Sequence, residues 1–339
     1  MSQKFIAILF IFIAGILACN KDELQLVFQG FQQPSHFPAP AYRMANNPVT
    51  EEGFELGRKL FYETKLSADN TISCGTCHIQ TSAFTHHGHS VSHGIFDRLG
   101  TRNSPPIMNL AWNTSFMWDG GIVDLDLQSV APITNHLEMD ETLENVLNKL
   151  RNSSEYPALF KRAYGSSEIT TSGFLKALSQ FMVMCVSAKS KYDSVVNKLG
   201  PVFTADEAEG YAIVKQKCTP CHVEPLFTDH SFRNNGISVS NVNDQGRYLI
   251  TQRDTDMYKF KVPSLRNLAF TKPYMHDGRF LELDAVLDHY SSQVQQTPNL
   301  DPMLSKGIPL TQDERRKVSA FLNTLNDRSF IFDKRFSEQ

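Results

Sequence analysis

The sequence predicts an all-α protein folded as two similar halves, and three observations carry that prediction. Apolar residues recur at helical spacing, as in Phe54, Leu56, Leu60 and Phe61, and no convincing run of strand-like alternation is found. The pattern Cys-x-x-Cys-His occurs twice, at Cys74-Gly75-Thr76-Cys77-His78 and at Cys218-Thr219-Pro220-Cys221-His222. Downstream of each copy lies a longer repeat: Asn109 through Gly120 matches Asn267 through Gly278 without a gap, a constant shift of 158 residues.

From the N-terminus, Lys4 precedes an apolar run, Phe5 to Ala18, that is too short for a stable spanning helix and reads as a secretory signal over residues 1–18. The run ends in Ile16-Leu17-Ala18-Cys19, which resembles the lipobox of bacterial lipoproteins, so Cys19 is expected to carry a lipid and to be the sole membrane attachment; ordinary cleavage nearby is the alternative. Asn20-Lys21-Asp22-Glu23 looks like the surface-export tag of Bacteroidetes lipoproteins. Residues 19–45 form an N-terminal extension. A first domain is expected over 46–196, with Asp140 capping a helix striped by Leu143, Val146, Leu147 and Leu150. Cys185 lies alone in the apolar helical stretch Phe174–Val186 and reads as a small buried hydrophobe. A linker near Asn197–Phe203 leads to a second domain over 204–339, opened by the capping-box pattern Thr204-Ala-Asp-Glu207. The 339 residues suit two domains of about 150 each. A net charge of −3, with 20% charged and 41% hydrophobic residues, is that of a soluble globular protein and gives no sign of nucleic-acid binding.

The paired cysteines carry the chemistry. In Cys-x-x-Cys-His each thiol can add to one vinyl group of a porphyrin, and the adjacent histidine then falls under the iron as proximal ligand. A redox dithiol would not need the adjacent histidine, and a zinc site would need both motifs to converge on one metal. Two full copies therefore predict two covalently bound haem c groups, held by Cys74, Cys77 and His78 and by Cys218, Cys221 and His222, in two cytochrome-c-like domains.

The long repeat distinguishes the two sites. Carried forward, its register pairs Pro132 with Tyr290. A phenol oxygen can coordinate iron and proline cannot, so the second haem is expected to be closed by Tyr290 and the first to keep a free position. Met275 and Met303 are rival ligands for the second iron, and an aromatic packed at the haem edge is the plainer alternative for Tyr290.

Over nearly the whole mature chain these residues resemble the bacterial di-haem cytochrome c peroxidase family, including its MauG-type branch. The likeness rests on both motifs, Arg102-Asn103-Ser104-Pro105, Trp118-Asp119-Gly120, Gln128, Pro132, Glu138, Val262-Pro-Ser-Leu-Arg266-Asn267 and Tyr274-Met-His-Asp-Gly278. It implies that Glu138 moves a proton between the peroxide oxygens, that Gln128 hydrogen-bonds the bound peroxide, and that Trp118 passes electrons between the haems. It also implies that His276 contacts the second haem, and that a calcium ion binds between the domains at Asn103, Thr271 and Pro273. His93 matches a histidine that caps the resting first haem in typical peroxidases and that MauG-type proteins generally lack.

The leading expectation is therefore a periplasmic or envelope enzyme that reduces hydrogen peroxide to water, with electrons entering the second haem from a small cytochrome c or copper protein. Family members also form homodimers. Glu138 and Gln128 favour this reading; Tyr290 favours a MauG-like oxidase of protein residues. A non-catalytic di-haem electron carrier is the third reading, against which Pro132 and Glu138 stand.

Overall fold

The computed structural model describes residues 28–339. Cys19 and the signal segment 1–18 lie outside the described residues. The chain is mostly helical; its only sheet among the described residues pairs Phe232–Arg233 with Phe260–Lys261 in antiparallel register. No helix among these residues is long and apolar enough to cross a membrane.

Each half is built on one pair of crossing helices. In the first, Glu51–Phe61 starts at Thr50, whose hydroxyl accepts from the Gly53 N–H (3.0 Å), with Glu51 and Glu52 in its first turn. Its stripe of Phe54, Leu56, Leu60 and Phe61 is buried against the helix Thr171–Met184, where Phe61 and Phe181 meet at 4.7 Å between ring centroids. The crossing needs glycine: a Cβ on Gly57 would lie 1.9 Å from the carbonyl oxygen of Ala177. The second half repeats the device. Ala205–Lys217, opened by the expected Thr204–Glu207 capping box, crosses Gln312–Asn323, Tyr211 stacks on Phe321 at 4.9 Å, and a Cβ on Gly210 would lie 2.0 Å from the Lys317 carbonyl oxygen.

The long repeat is also structural. Asn109 and Asn267 both take positive φ (56° and 61°), as do Met117 and Met275 (65° and 73°). The bridge Phe116–Ile122 recurs as Tyr274–Phe280. Two apolar cores result, but they do not divide at the linker. Phe330, Ile331 and Phe336, at the end of the chain, pack into the first core, whereas Tyr192 joins the second. At the junction Arg266 is wholly buried and grips Asp193 with two hydrogen bonds (2.9 and 2.7 Å), and the segment before the first helix lies over it, with Phe37 beneath the guanidinium.

One local expectation is corrected. The helix Leu143–Arg151 is capped by Thr142, whose hydroxyl accepts from Asn145 N–H (3.2 Å), and not by Asp140. Asp140 takes φ 49° and binds Arg98 at 2.6 Å, which draws its carboxylate away from the helix end. Val146, Leu147 and Leu150 of the expected stripe are buried, and Cys185 is fully buried at the end of its helix.

Candidate active site and haem-attachment sites

The first Cys-x-x-Cys-His motif forms a single helical turn, Cys74–Cys77, which brings both thiols to one side before His78 leaves the helix. None of the four motif cysteines is in a disulfide. Burial pushes the thiols up, to about 12 at Cys74 and about 11 at Cys77 and Cys218, which is the reverse of what a reactive redox dithiol requires. His78 donates from Nδ1 to the Phe84 carbonyl (2.8 Å), and His222 from Nδ1 to the carbonyls of Phe227 (3.1 Å) and Pro263 (3.0 Å). These bonds orient each ring and leave Nε2 with its lone pair, while burial lowers both pKa values and keeps the imidazoles neutral. Two thiols one turn apart beside a neutral, anchored imidazole fit a covalently attached haem at each motif.

A cavity of about 570 Å³ opens beside His78, and Trp118, Gln128, Pro132 and Glu138 line it. Gln128 ends the one-turn helix Leu125–Gln128, and Pro132 lies in the next helix, Val130–Thr134. Glu138 follows in the loop before the Thr142 cap. Its carboxylate accepts from Asn135 Nδ2 (2.9 Å), and burial, outweighing that bond, raises its pKa. A carboxyl that holds its proton above the ordinary range, in a cavity with an amide and an imidazole, is equipped for proton transfer.

Trp118 reaches the second half through Asn103. Its indole Nε1 donates to the Asn103 carbonyl (2.8 Å), and the Asn103 N–H donates to the His276 carbonyl (2.7 Å). The reciprocal bond runs from the Lys261 N–H to the Trp118 carbonyl (2.7 Å). The shift of 158 residues maps Asn103 onto Lys261 and Trp118 onto His276, so the two halves exchange the same contact. His276 is buried, and its ring stacks on Phe260 at 3.7 Å.

Tyr290 falls in a π-helical turn, His289–Gln293, where its hydroxyl lies 3.5 Å from Asn235 Nδ2. The same amide lies 3.6 Å from Met275 Sδ, so Tyr290 and Met275 converge on one point. Burial foremost, with Cys221 and Cys218 close by, raises the phenol pKa. Met303 is 53% exposed on the surface and is not part of this cluster.

His93 does not line the cavity. Its ring bonds His89 Nδ1 (3.1 Å) and Asp97 (3.4 Å), edge-on to the stacked rings of His86 and His89, and its carbonyl receives Cys77 Sγ (3.5 Å). No group of three or more histidine, cysteine, aspartate or glutamate side chains among the described residues is arranged to hold a metal ion. Of the three oxygen donors named for calcium, Asn103 and Pro273 are buried and Thr271 is partly buried. Asn103 Nδ2 donates to the Ser90 carbonyl (3.1 Å).

Residues 51–199 match the family model of the di-haem cytochrome c peroxidases. The chain is 34% identical over 315 residues to the methylamine utilization protein MauG of Methylorubrum extorquens, covering 90% of this chain and 86% of that protein. The chain belongs to the di-haem cytochrome c peroxidase family. It is also 29% identical to cytochrome c551 peroxidase of Pseudomonas aeruginosa, over 86% of this chain and 83% of that one. Among solved structures, a MauG-like protein associated with microbial copper homeostasis superposes with a TM-score of 0.82 at 30% identity, over 91% and 98% of the two chains. The protein is thus a di-haem oxidoreductase of a family that carries two c-type haems.

Sequence reasoning missed Asn135, which holds Glu138, and Lys261 and His230, which also line the cavity. Only the alignment of Lys261 with Asn103 in the repeat could have drawn attention to any of them.

Proposed function

We propose that the protein reduces hydrogen peroxide to water at the cavity beside His78, with electrons supplied to the second haem by a small cytochrome c or copper protein. The observation that carries the reading is that Gln128, Pro132 and Glu138 line one cavity with His78, and that the Glu138 carboxyl there has a raised pKa. When bound, a haem iron with an open position supplies the peroxide-binding site and the redox chemistry. Pro132 offers no atom that could close that position. The Gln128 amide orients the peroxide by hydrogen bonding, while Glu138 takes the proton from one peroxide oxygen and gives it to the other as the O–O bond breaks. Two electrons and two further protons balance the formation of two waters. Trp118, bonded through Asn103 to the His276 loop, is the conduit between the halves.

In this reading 46–196 and 204–339 are cytochrome-c-like haem domains, Cys74, Cys77 and His78 hold one haem, and Cys218, Cys221 and His222 the other. Tyr290 closes the second iron, His276 borders that haem, and His93 is a resting ligand of the first only if its ring leaves His89 and Asp97. A calcium ion at Asn103, Thr271 and Pro273, a lipid on Cys19, a periplasmic or envelope location and a homodimer complete the proposal. The convergence of Tyr290 with Asn235, together with 34% identity to a MauG protein, favours a second reading: oxidation of residues in a bound protein. Steady-state peroxide consumption with a reduced cytochrome c as donor tests the first. Turnover supports it; binding of peroxide without consumption of the donor supports the second.

A further inference from the structure

The cavity also carries two polar side chains that neither reading uses. Lys261 is partly buried, and among the described residues its Nζ hydrogen-bonds the Ser115 carbonyl oxygen (2.8 Å), with no carboxylate bound to it. His230 Nε2 is buried and, among the described residues, has no hydrogen-bond partner. Both residues line the cavity that holds His78. The other cation there, Arg102, is already neutralised by Asp119 (2.5 Å) and Asp244 (2.6 Å), so it is not free to bind an anion. The one carboxylate whose charge favours the Lys261 ammonium, Asp119, is already paired with Arg102; an ammonium so placed, and a buried imidazole nitrogen without a partner, are costly unless a ligand completes both.

Both side chains face the same cavity; burial lowers the Lys261 pKa to about 8, and burial foremost, then the Lys261 charge, lowers that of His230. The His230 backbone takes φ 56°, a left-handed conformation that histidine adopts more readily than most residues, with its N–H donating to the Thr228 hydroxyl (3.0 Å).

We propose that Lys261 Nζ and His230 Nε2 form a carboxylate-binding subsite, and that its occupant is a propionate of the haem attached at Cys74 and Cys77. The proposal rests on haem attachment at that motif. The subsite would fix the porphyrin's orientation and place a positive charge beside it. A nearby cation favours the reduced form of a redox centre, since reduction adds negative charge. Lys261 therefore holds up the potential of the first haem while leaving the second unchanged.

The test is a spectroelectrochemical titration of the purified two-haem protein, with Lys261→Met, Lys261→Arg and His230→Gln beside the wild type, each in the presence and absence of acetate. Haem content is measured first: fewer than two haems in the wild type would refute the attachment reading, whatever the potentials. With two haems present, Lys261→Met is expected to lower the reduced-to-oxidised ratio of the first haem about tenfold at fixed potential, equivalent to about 59 mV for one electron. His230→Gln should shift it less in the same direction, Lys261→Arg should hold it within about twofold, and acetate should have no effect. An unchanged first potential in both Lys261→Met and His230→Gln, or an equal loss in Lys261→Arg, overturns the subsite. A wild-type potential that follows added acetate overturns the propionate as its occupant. Should Lys261→Met not fold, His230→Gln and the acetate series decide.

Discussion

Replacing Glu138 by glutamine removes the proton and keeps nearly everything else. Asn135 Nδ2 donates to Oε1 at 2.9 Å, and a glutamine carbonyl can accept the same bond, so the side chain should keep its place in the cavity. What is lost is acid–base catalysis, ordinarily about 10²- to 10⁴-fold, or roughly 3 to 5 kcal/mol of transition-state stabilisation. The raised pKa makes two further statements. Glu138 must be ionised to accept the first proton, so the acid limb of the rate profile lies above the ordinary carboxylate value of 4.5 and vanishes in the variant. A carboxyl whose folded pKa is raised stabilises the fold fully at pH below the unfolded value and loses that contribution as pH rises through the folded one. At neutral pH Glu138→Gln should therefore unfold at slightly higher temperature than the wild type while reacting far more slowly with peroxide. Stopped-flow optical spectroscopy over a pH series, with thermal unfolding alongside, reads both. A variant that keeps its rate within threefold, or loses it together with its haem or stability, refutes the assignment.

Three other outcomes follow from the same geometry. Gly57→Ala and Gly210→Ala force a Cβ into a carbonyl oxygen at 1.9 and 2.0 Å, so each should lower the urea midpoint by an amount equivalent to about 1–3 kcal/mol. Arg266→Met leaves the buried Asp193 carboxylate without its guanidinium, with only the His36 ring (2.8 Å) and Ser190 still bonded to it, and should cost about 3–5 kcal/mol in denaturant unfolding. Burial alone would raise the Asp193 pKa, but the Arg266 bonds and charge, with the Ser190 hydrogen bonds, bring it below 3.8; that stability is present above 3.8 and lost as pH falls through the folded value, a loss the variant should show to a smaller extent. Tyr290→Phe should change the optical spectrum of the second haem and leave the first intact, and Met275→Leu should not; the opposite pattern assigns the ligand to methionine.

The sequence made much of this legible because its signals are local or repeated. Cys-x-x-Cys-His is a contiguous motif, the Thr204–Glu207 capping box lies within one turn, and the repeat carried the pairing of Pro132 with Tyr290. The misses are contacts that no local pattern encodes. Asp140 was a reasonable cap until Arg98, far away in sequence, claimed it, and the return of Phe330 and Phe336 to the first core depends on where the chain's end finds apolar surface. Lys261 and His230 belong to no local motif and meet only because the fold brings both to the cavity. The ring of His93 stands edge-on to the stacked pair His86 and His89 and bonds His89 and Asp97, which spacing alone did not foretell.

The most direct test of the central claim is stopped-flow mixing of the purified two-haem protein with hydrogen peroxide and a reduced cytochrome c, starting from the oxidised and from the half-reduced form. The account predicts consumption of two donor electrons per peroxide, with water as product, in at least one of the two starting states. Absence of any spectral change or donor oxidation from both states would contradict it and leave an electron carrier.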